Sequence, residues 1–151
     1  MSQPSPGLAV AWRIAATEAG AAGCKKILDA GGHVTLGAHG QLQGLGPHWE
    51  LWALTQGGMS NMQALRCATL SGAWELGMDK DLGSLEAGKL ADLVVMDRNP
   101  LEKIENSDSI RYVVKNGVVY DGETMATVWP TAGPAPKFLF DTWTGGAQSM
   151  P

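Results

Sequence analysis

The sequence has few of the features that mark membrane, nucleic-acid-binding or disulfide-rich proteins. No apolar run reaches the roughly 20 residues of a membrane span, and the start lacks the basic segment of a signal peptide. Lysine and arginine are scattered, and the formal net charge of -4 gives no attraction to nucleic acid or an anionic membrane. Two cysteines, Cys24 and Cys67, are too few for a disulfide framework, so we expect free thiols.

The composition instead indicates a folded, globular chain. Its 151 residues are enough for one ordinary domain with its own core. Hydrophobic residues make up 44% and charged residues 17%, whereas disordered chains combine low hydrophobicity with high charge.

Helical patterns surround one short apolar segment in residues 8–81. The spacing of apolar residues predicts helices over residues 8–30, 48–55 and 60–76. Ser60 and Gln63 have the spacing of a capping box at the start of the third helix. Between the first two helices, the partly β-branched stretch HVTLGAH at 33–39 predicts a buried strand.

The remainder of the chain is rich in β-strand signals. Residues 90–97 predict a strand, and residues 110–115 and 118–121 predict a hairpin around Asn116-Gly117, a pair typical of type I′ turns. From Pro130 onward the chain is rich in proline and glycine, and we expect an extended tail. Its candidate anchors are Phe138, Phe140 and Trp143.

Three segments resemble the C-terminal part of amidohydrolase-superfamily enzymes. LGSLEAGKLADLVVMD, at 82–97, is similar to the GxLxxGxxADLVV signature of that family. SIRYVVKNGVVYDG, at 109–122, resembles its closing hairpin, and MSNMQALRCATLSGAWELGM, at 59–78, resembles the helix before the signature. The resemblance extends from about Leu28 to about Trp129 and is closest to imidazolonepropionase-like and prolidase-like members.

The resemblance implies an α/β fold cut from a larger one. The chain would hold the last strand and helices of a (β/α)8 barrel plus a C-terminal part of a small β-sandwich. On that basis residues 1–81 are the barrel remnant, residues 82–129 the sandwich segment and residues 130–151 an extended tail. The family implies hydrolysis of C–N bonds assisted by a divalent metal such as zinc.

Most of the family's metal ligands have no counterpart in this sequence. The family's HxH pair is absent, and there are only three histidines. His39, in LGAHG where relatives usually have LGTD, matches the family's last-strand Asp and is the candidate metal ligand and catalytic residue. A neutral imidazole can bind zinc or accept a proton, but one nitrogen cannot do both. The alternative is a loop histidine bonded to the backbone.

Other polar residues are candidates for either a functional or a structural role. His48 and Glu50 begin a helix near the top of the implied barrel, where such sites lie, and are candidates for a pocket mouth. The alternative is a structural role at the helix start, where the negative charge of Glu50 is stabilised by the positive end of the helix dipole. We expect structural roles for His33, at the other end of the strand, and for Asp92.

The leading hypothesis is a C-terminal fragment of a metal-dependent amidohydrolase that acts on cyclic amides or dipeptide-like substrates. Alone, it would be inactive and bind no metal tightly. The alternatives are a noncatalytic, oligomerising scaffold or interaction module, and an active site shared with another chain. We expect self-association through an unpaired strand 33–39 or a swapped tail, and no nucleic-acid or membrane partner. The rival is a monomer in which strand 33–39 joins the sandwich.

Overall fold

Helices form the first part of the fold. The computed structural model describes residues 6–38 and 44–137. Within these ranges, side chains are described from residue 17 onward. The helices are α1 (Pro6–Asp29), α2 (Gly46–Gln56), α3 (Asn61–Cys67) and α4 (Leu70–Glu75). Within the described ranges, no helix is long and apolar enough to cross a bilayer.

The predicted capping box at the start of α3 is confirmed. The Ser60 hydroxyl accepts a hydrogen bond from the Gln63 backbone at 3.2 Å, and the Gln63 side chain accepts one from the Ser60 backbone at 2.9 Å. The single helix predicted over 60–76 is nevertheless wrong, because α3 ends at Cys67 and α4 begins at Leu70. At the break, Thr69 leaves the helical region (φ -128°, ψ -92°) while its hydroxyl donates to the Leu65 carbonyl.

The strand predicted at 33–39 is wrong for residues 33–38. These residues form no regular secondary structure and do not join the sheet, although Val34 and Leu36 pack against the hydrophobic core. The physical reason is that a parallel strand needs neighbouring strands to take its backbone hydrogen bonds. The described part of the chain places no strand beside this segment.

A four-stranded antiparallel sheet forms the second part of the fold. Its strands are β1 (Leu93–Met96), β2 (Ile110–Lys115), β3 (Val118–Asp121) and β4 (Thr127–Trp129), in the order β1-β2-β3-β4. A 3₁₀ helix, Ile104–Asp108, lies between β1 and β2. The predicted strand 90–97 is therefore shorter than expected, and β4 was not predicted.

The predicted type I′ hairpin is confirmed. Val118 pairs with Lys115 across a two-residue tip, and both tip residues have positive φ, 50° at Asn116 and 81° at Gly117. This turn supplies the twist that antiparallel strands need, so β2 and β3 continue from it in regular register.

The hydrophobic core lies among the helices and the 3₁₀ helix rather than on the sheet. Its buried members are Leu51, Leu54, Met59, Ala64, Cys67 and Ile104. None of the residues in the four strands is buried. Both cysteines are free thiols, as predicted, and burial is the main cause that raises the pKa of Cys67.

Candidate functional site

Carboxylates on two helices hold the segment 33–38. The Gly37 backbone N–H donates to both carboxylate oxygens of Glu50 in α2, at 3.0 and 2.9 Å. The Thr35 hydroxyl donates to the Glu75 carboxylate in α4 at 2.6 Å. Because Val34 and Leu36 pack on the core instead, contacts alternate along the segment as they do in an extended chain.

His33 has the structural contact expected of it. Its ring stacks on Trp74 of α4, with ring centroids 3.6 Å apart and planes inclined by 9°. This stacking fixes the start of the segment on the same helix that binds Thr35.

His39 lies outside the described residues, immediately beyond the end of this segment. Its predicted role as metal ligand or catalytic residue stays a prediction. The described residues fix the backbone that precedes it in sequence, because the Glu50 carboxylate accepts from the Gly37 backbone N–H.

His48 faces a buried hydroxyl. Its Nδ1 lies 3.0 Å from Ser107 Oγ, and the Trp52 indole N–H donates to the same oxygen at 3.1 Å. Ser107 belongs to the 3₁₀ helix and is 0% exposed. We call these three residues the Ser107 network, and it ties α2 to the 3₁₀ helix. Sequence reasoning missed Ser107, since no local pattern links positions so distant in the chain.

His48 and Glu50, the two residues predicted to lie near a pocket mouth, point in different directions from α2. His48 and Glu50 are two positions apart, which is about 200° around a helix. They accordingly contact different elements, the 3₁₀ helix and the segment 33–38. Their role at a pocket mouth stays a prediction.

The residues in the described ranges do not fit a metal ion. Those ranges contain no group of three or more His, Cys, Asp and Glu side chains placed to hold one. A catalytic zinc site uses three protein ligands and an open position. The family's metal chemistry therefore cannot be assigned to the described part of this chain.

Asp92 has a structural role, as predicted. One carboxylate oxygen accepts from the Asn116 backbone N–H at 2.6 Å, and the other accepts from the Lys115 ammonium. The Lys115 hydrogen bond, followed by that of Asn116, lowers the pKa of Asp92 below its ordinary value. The side chain thus ties the hairpin tip to the start of β1.

A cavity of about 550 Å³ lies between the helices and the sheet. Leu51 and Leu65 line it from the helices, Leu85 from the loop before β1, and Val94 and Met96 from β1. Asp92 is the lining residue with an ionisable side chain, and its carboxylate is engaged with the hairpin. The cavity therefore offers apolar surface rather than acid–base chemistry.

The chain resembles known proteins over much of its length. The model of the Amidohydrolase family matches residues 11–120. A 5-methylthioadenosine/S-adenosylhomocysteine deaminase of Moorella thermoacetica is 60% identical over 35 residues, 23% of this chain and 8% of that protein. An imidazolonepropionase of Picrophilus torridus is 38% identical over 58 residues, 36% of this chain and 15% of that protein.

A solved structure matches the fold. A molinate hydrolase, with a TM-score of 0.53 and 28% identity, is similar over 68% of this chain and 22% of its own. The matched region spans less than a quarter of each of these three proteins. Because the family model covers most of the sequence, including the helices α2 to α4 and the hairpin, the chain belongs to the Amidohydrolase family.

Proposed function

We propose that this chain is the C-terminal part of a metal-dependent hydrolase of C–N bonds and that it is inactive alone. The proposal rests on how much of this chain and how much of its relatives are matched. The family model matches residues 11–120 of this chain, but the matched segments make up only 8% and 15% of the length of two curated relatives. The described residues also lack a ligand cluster, so an intact enzyme would take its metal, such as zinc, on residues elsewhere.

The finer fold assignment is part of this proposal. Residues 1–81 would be the last barrel strand with its helices, residues 82–129 a sandwich segment and residues 130–151 a tail. The order of elements supports the division, since the four helices end by Glu75 and the sheet begins at Leu93. The segment 33–38 would become a strand when neighbouring barrel strands supply its hydrogen-bond partners.

The reaction class follows the named relatives. They include a deaminase, an imidazolonepropionase and a hydrolase, which favours cleavage of a C–N bond. The proposed substrate, a cyclic amide or a dipeptide-like compound, follows from the resemblance of the sequence motifs. Within this chain, His39 is the candidate for contact with the reacting groups. Glu50 and Glu75 would act as positioning residues, because they hold the segment that leads to His39.

The coding region upstream of Met1 tests the proposed parent. We expect an in-frame segment that encodes the HxH pair, and a longer product expressed from it should hydrolyse C–N bonds when supplied with zinc. An upstream region without such a segment, together with an inactive longer product, would contradict the assignment.

The 151-residue chain itself should show no meaningful C–N hydrolase activity. Fewer than three protein ligands make a poor catalytic zinc site, so turnover with added zinc should equal the rate without protein. Dipeptides ending in proline and a cyclic amide are suitable substrates, with metal content measured after desalting. The controls are His39→Ala and His48→Ala. A zinc-dependent rate that survives repurification and is lost in His39→Ala, but not in His48→Ala, would refute inactivity.

A further inference from the structure

The two outer strands of the sheet differ in how their edges are closed. On one side, Thr127 of β4 exchanges two backbone hydrogen bonds with Gly133, at 3.1 and 3.0 Å, so the chain folds back over that edge. On the other side, β1 pairs with β2 and with no further strand of the described residues. The outer edge of β1 is therefore open within the described structure.

The open edge carries no protective charge. β1 consists of Leu93, Val94, Val95 and Met96, and the two valines are 46% and 39% exposed. Soluble proteins usually guard such an edge with charges, proline or a bulge. The register of β1 is irregular only between Val95 and Met96, which leaves Leu93 to Val95 regular and able to pair.

The acidic residues that flank β1 do not guard its open edge. Asp92 binds the Lys115 ammonium and the Asn116 backbone, and Asp97 lies 3.3 Å from the Arg111 guanidinium. These partners belong to β2 and its hairpin, on the closed side of β1. Both carboxylates are thus turned toward cations of their own sheet, which reduces the repulsion between two copies that meet at β1.

We propose that the open edge of β1 pairs with β1 of a second copy of this chain. Antiparallel pairing about a two-fold axis would join the sheets into one of eight strands, with the same edge used by both copies. Val94 would then face Val94 of the second copy, and Leu93 would face Val95, because the two-fold axis keeps each side chain on its own face of the sheet. All of these cross-strand pairs are apolar, the kind that stabilises antiparallel strands. This inference does not depend on the proposed function.

The dimer is expected to be weak. A four-residue edge is about 14 Å long. The apolar cavity beside it, with Leu85 83% exposed at its rim, extends the contact surface. Such an edge still gives less than the roughly 800 Å² per partner of a standard interface, so we expect dissociation in the micromolar range. Self-association then uses β1 and not the segment 33–38, which forms no strand.

Sedimentation velocity of the 151-residue chain tests the dimer, from about 1 to about 500 μM, a range that brackets a micromolar dissociation constant. Wild type should shift from monomer to dimer with concentration. Val95→Lys puts a charge on β1, on the sheet face away from the cavity, and should weaken the dimer by about tenfold or more. The matched control is Leu76→Lys, which adds the same charge at a residue that is 72% exposed after α4, and its dimerisation should equal that of wild type.

Hydrogen exchange keeps the test independent of the folding of the variants. In wild type, the amides of β1 that do not already bond to β2 should become protected as concentration rises. A wild type that stays monomeric over the whole range would overturn the proposal, as would a dimer weakened equally by both lysine variants. Protection of these amides that is independent of concentration would also overturn it, because another segment of the same chain would then occupy the edge.

Discussion

At the scale of single residues, the hairpin tip depends on a backbone conformation that few side chains tolerate. Gly117 has φ 81°, and a Cβ added there would meet no atom within 4 Å. The constraint is therefore conformational rather than steric. Asn116, at φ 50°, is one of the residue types that accept this region.

Replacing Gly117 by valine should destabilise the protein by about 1 kcal/mol or more, because a β-branched residue is strained at positive φ. Urea unfolding monitored by circular dichroism measures the change. Gly133→Val is the matched control, since that glycine also has open space around it and has no positive φ. Equal unfolding midpoints for the two variants would contradict the conformational cost.

Three hydrogen-bonded carboxylates connect stability to pH. Besides Asp92, the pKa of Glu86 is lowered, mainly by the Ser84 hydroxyl, and the pKa of Asp121 is lowered, mainly by the Thr124 hydroxyl. A carboxylate whose pKa is lower in the folded state stabilises the fold above its unfolded pKa. That contribution is lost as pH falls through the folded pKa.

Asp92→Asn should reduce the dependence of stability on pH. The ordinary pKa of Asp92 is 3.8 and folding lowers it, so wild type should lose stability between about pH 5 and pH 2. The variant should be less stable at neutral pH and should lose less on acidification, because residue 92 no longer titrates. The loss that remains comes from Glu86 and Asp121, whose partners are intact. Unfolding free energies across this range measure the difference. In the control Asp81→Asn, Asp92 is intact and its contribution should persist; equal slopes in Asp92→Asn and wild type would contradict the prediction.

At the scale of elements, the Ser107 network joins α2 to the 3₁₀ helix. The Trp52 indole can only donate a hydrogen bond, and the His48 ring nitrogen contacts the same Ser107 hydroxyl. One buried oxygen is therefore the hydrogen-bond partner of two side chains from one helix. Within the same helix, Leu51 and Leu54 belong to the core, and Ile104 reaches it from the 3₁₀ helix. Apolar packing and the network therefore hold the same junction.

Ser107→Ala should cost about 1–3 kcal/mol, because it leaves a donor at a largely closed junction without its partner. Thermal or urea unfolding gives the loss. Ser71→Ala in α4, outside the network, is the control and should change stability by no more than about 0.5 kcal/mol. If the two variants are equally stable, the network does not contribute to the junction.

At the scale of the whole molecule, burial is sparse. Among the described residues, eight apolar side chains and Ser107 are buried, and the strands contribute none of them. An antiparallel sheet usually packs one face against a core. The sheet of this chain therefore exposes apolar surface that a larger protein, or a second copy, would cover.

Calorimetry should give a low heat capacity of unfolding. An ordinary domain changes by about 12–15 cal/mol/K per residue, or about 1.8–2.3 kcal/mol/K for 151 residues. This chain, measured at a concentration where it is monomeric, should fall clearly below that range because little apolar surface is hidden. A value within the range would show a core more extensive than the described one.

Interactions between neighbours in sequence were predictable. The Asn-Gly turn, the Ser60–Gln63 capping box and the long first helix depend on a few adjacent residues, and the structure bears them out. The family membership was likewise evident from contiguous motifs at 59–78, 82–97 and 109–122. His39 was found through that resemblance alone, so its role rests on an intact parent.

Contacts between distant residues were decided only by the tertiary structure. Thr35 hydrogen-bonds to Glu75, forty positions away, and His48 to Ser107, fifty-nine positions away. Because these residues are so distant in sequence, no local spacing predicts either bond. The segment 33–38 has the composition of a strand but forms none, since strand geometry depends on a neighbour's backbone. The same dependence on neighbours leaves the edge of β1 open, because β-propensity alone does not say which strands will meet.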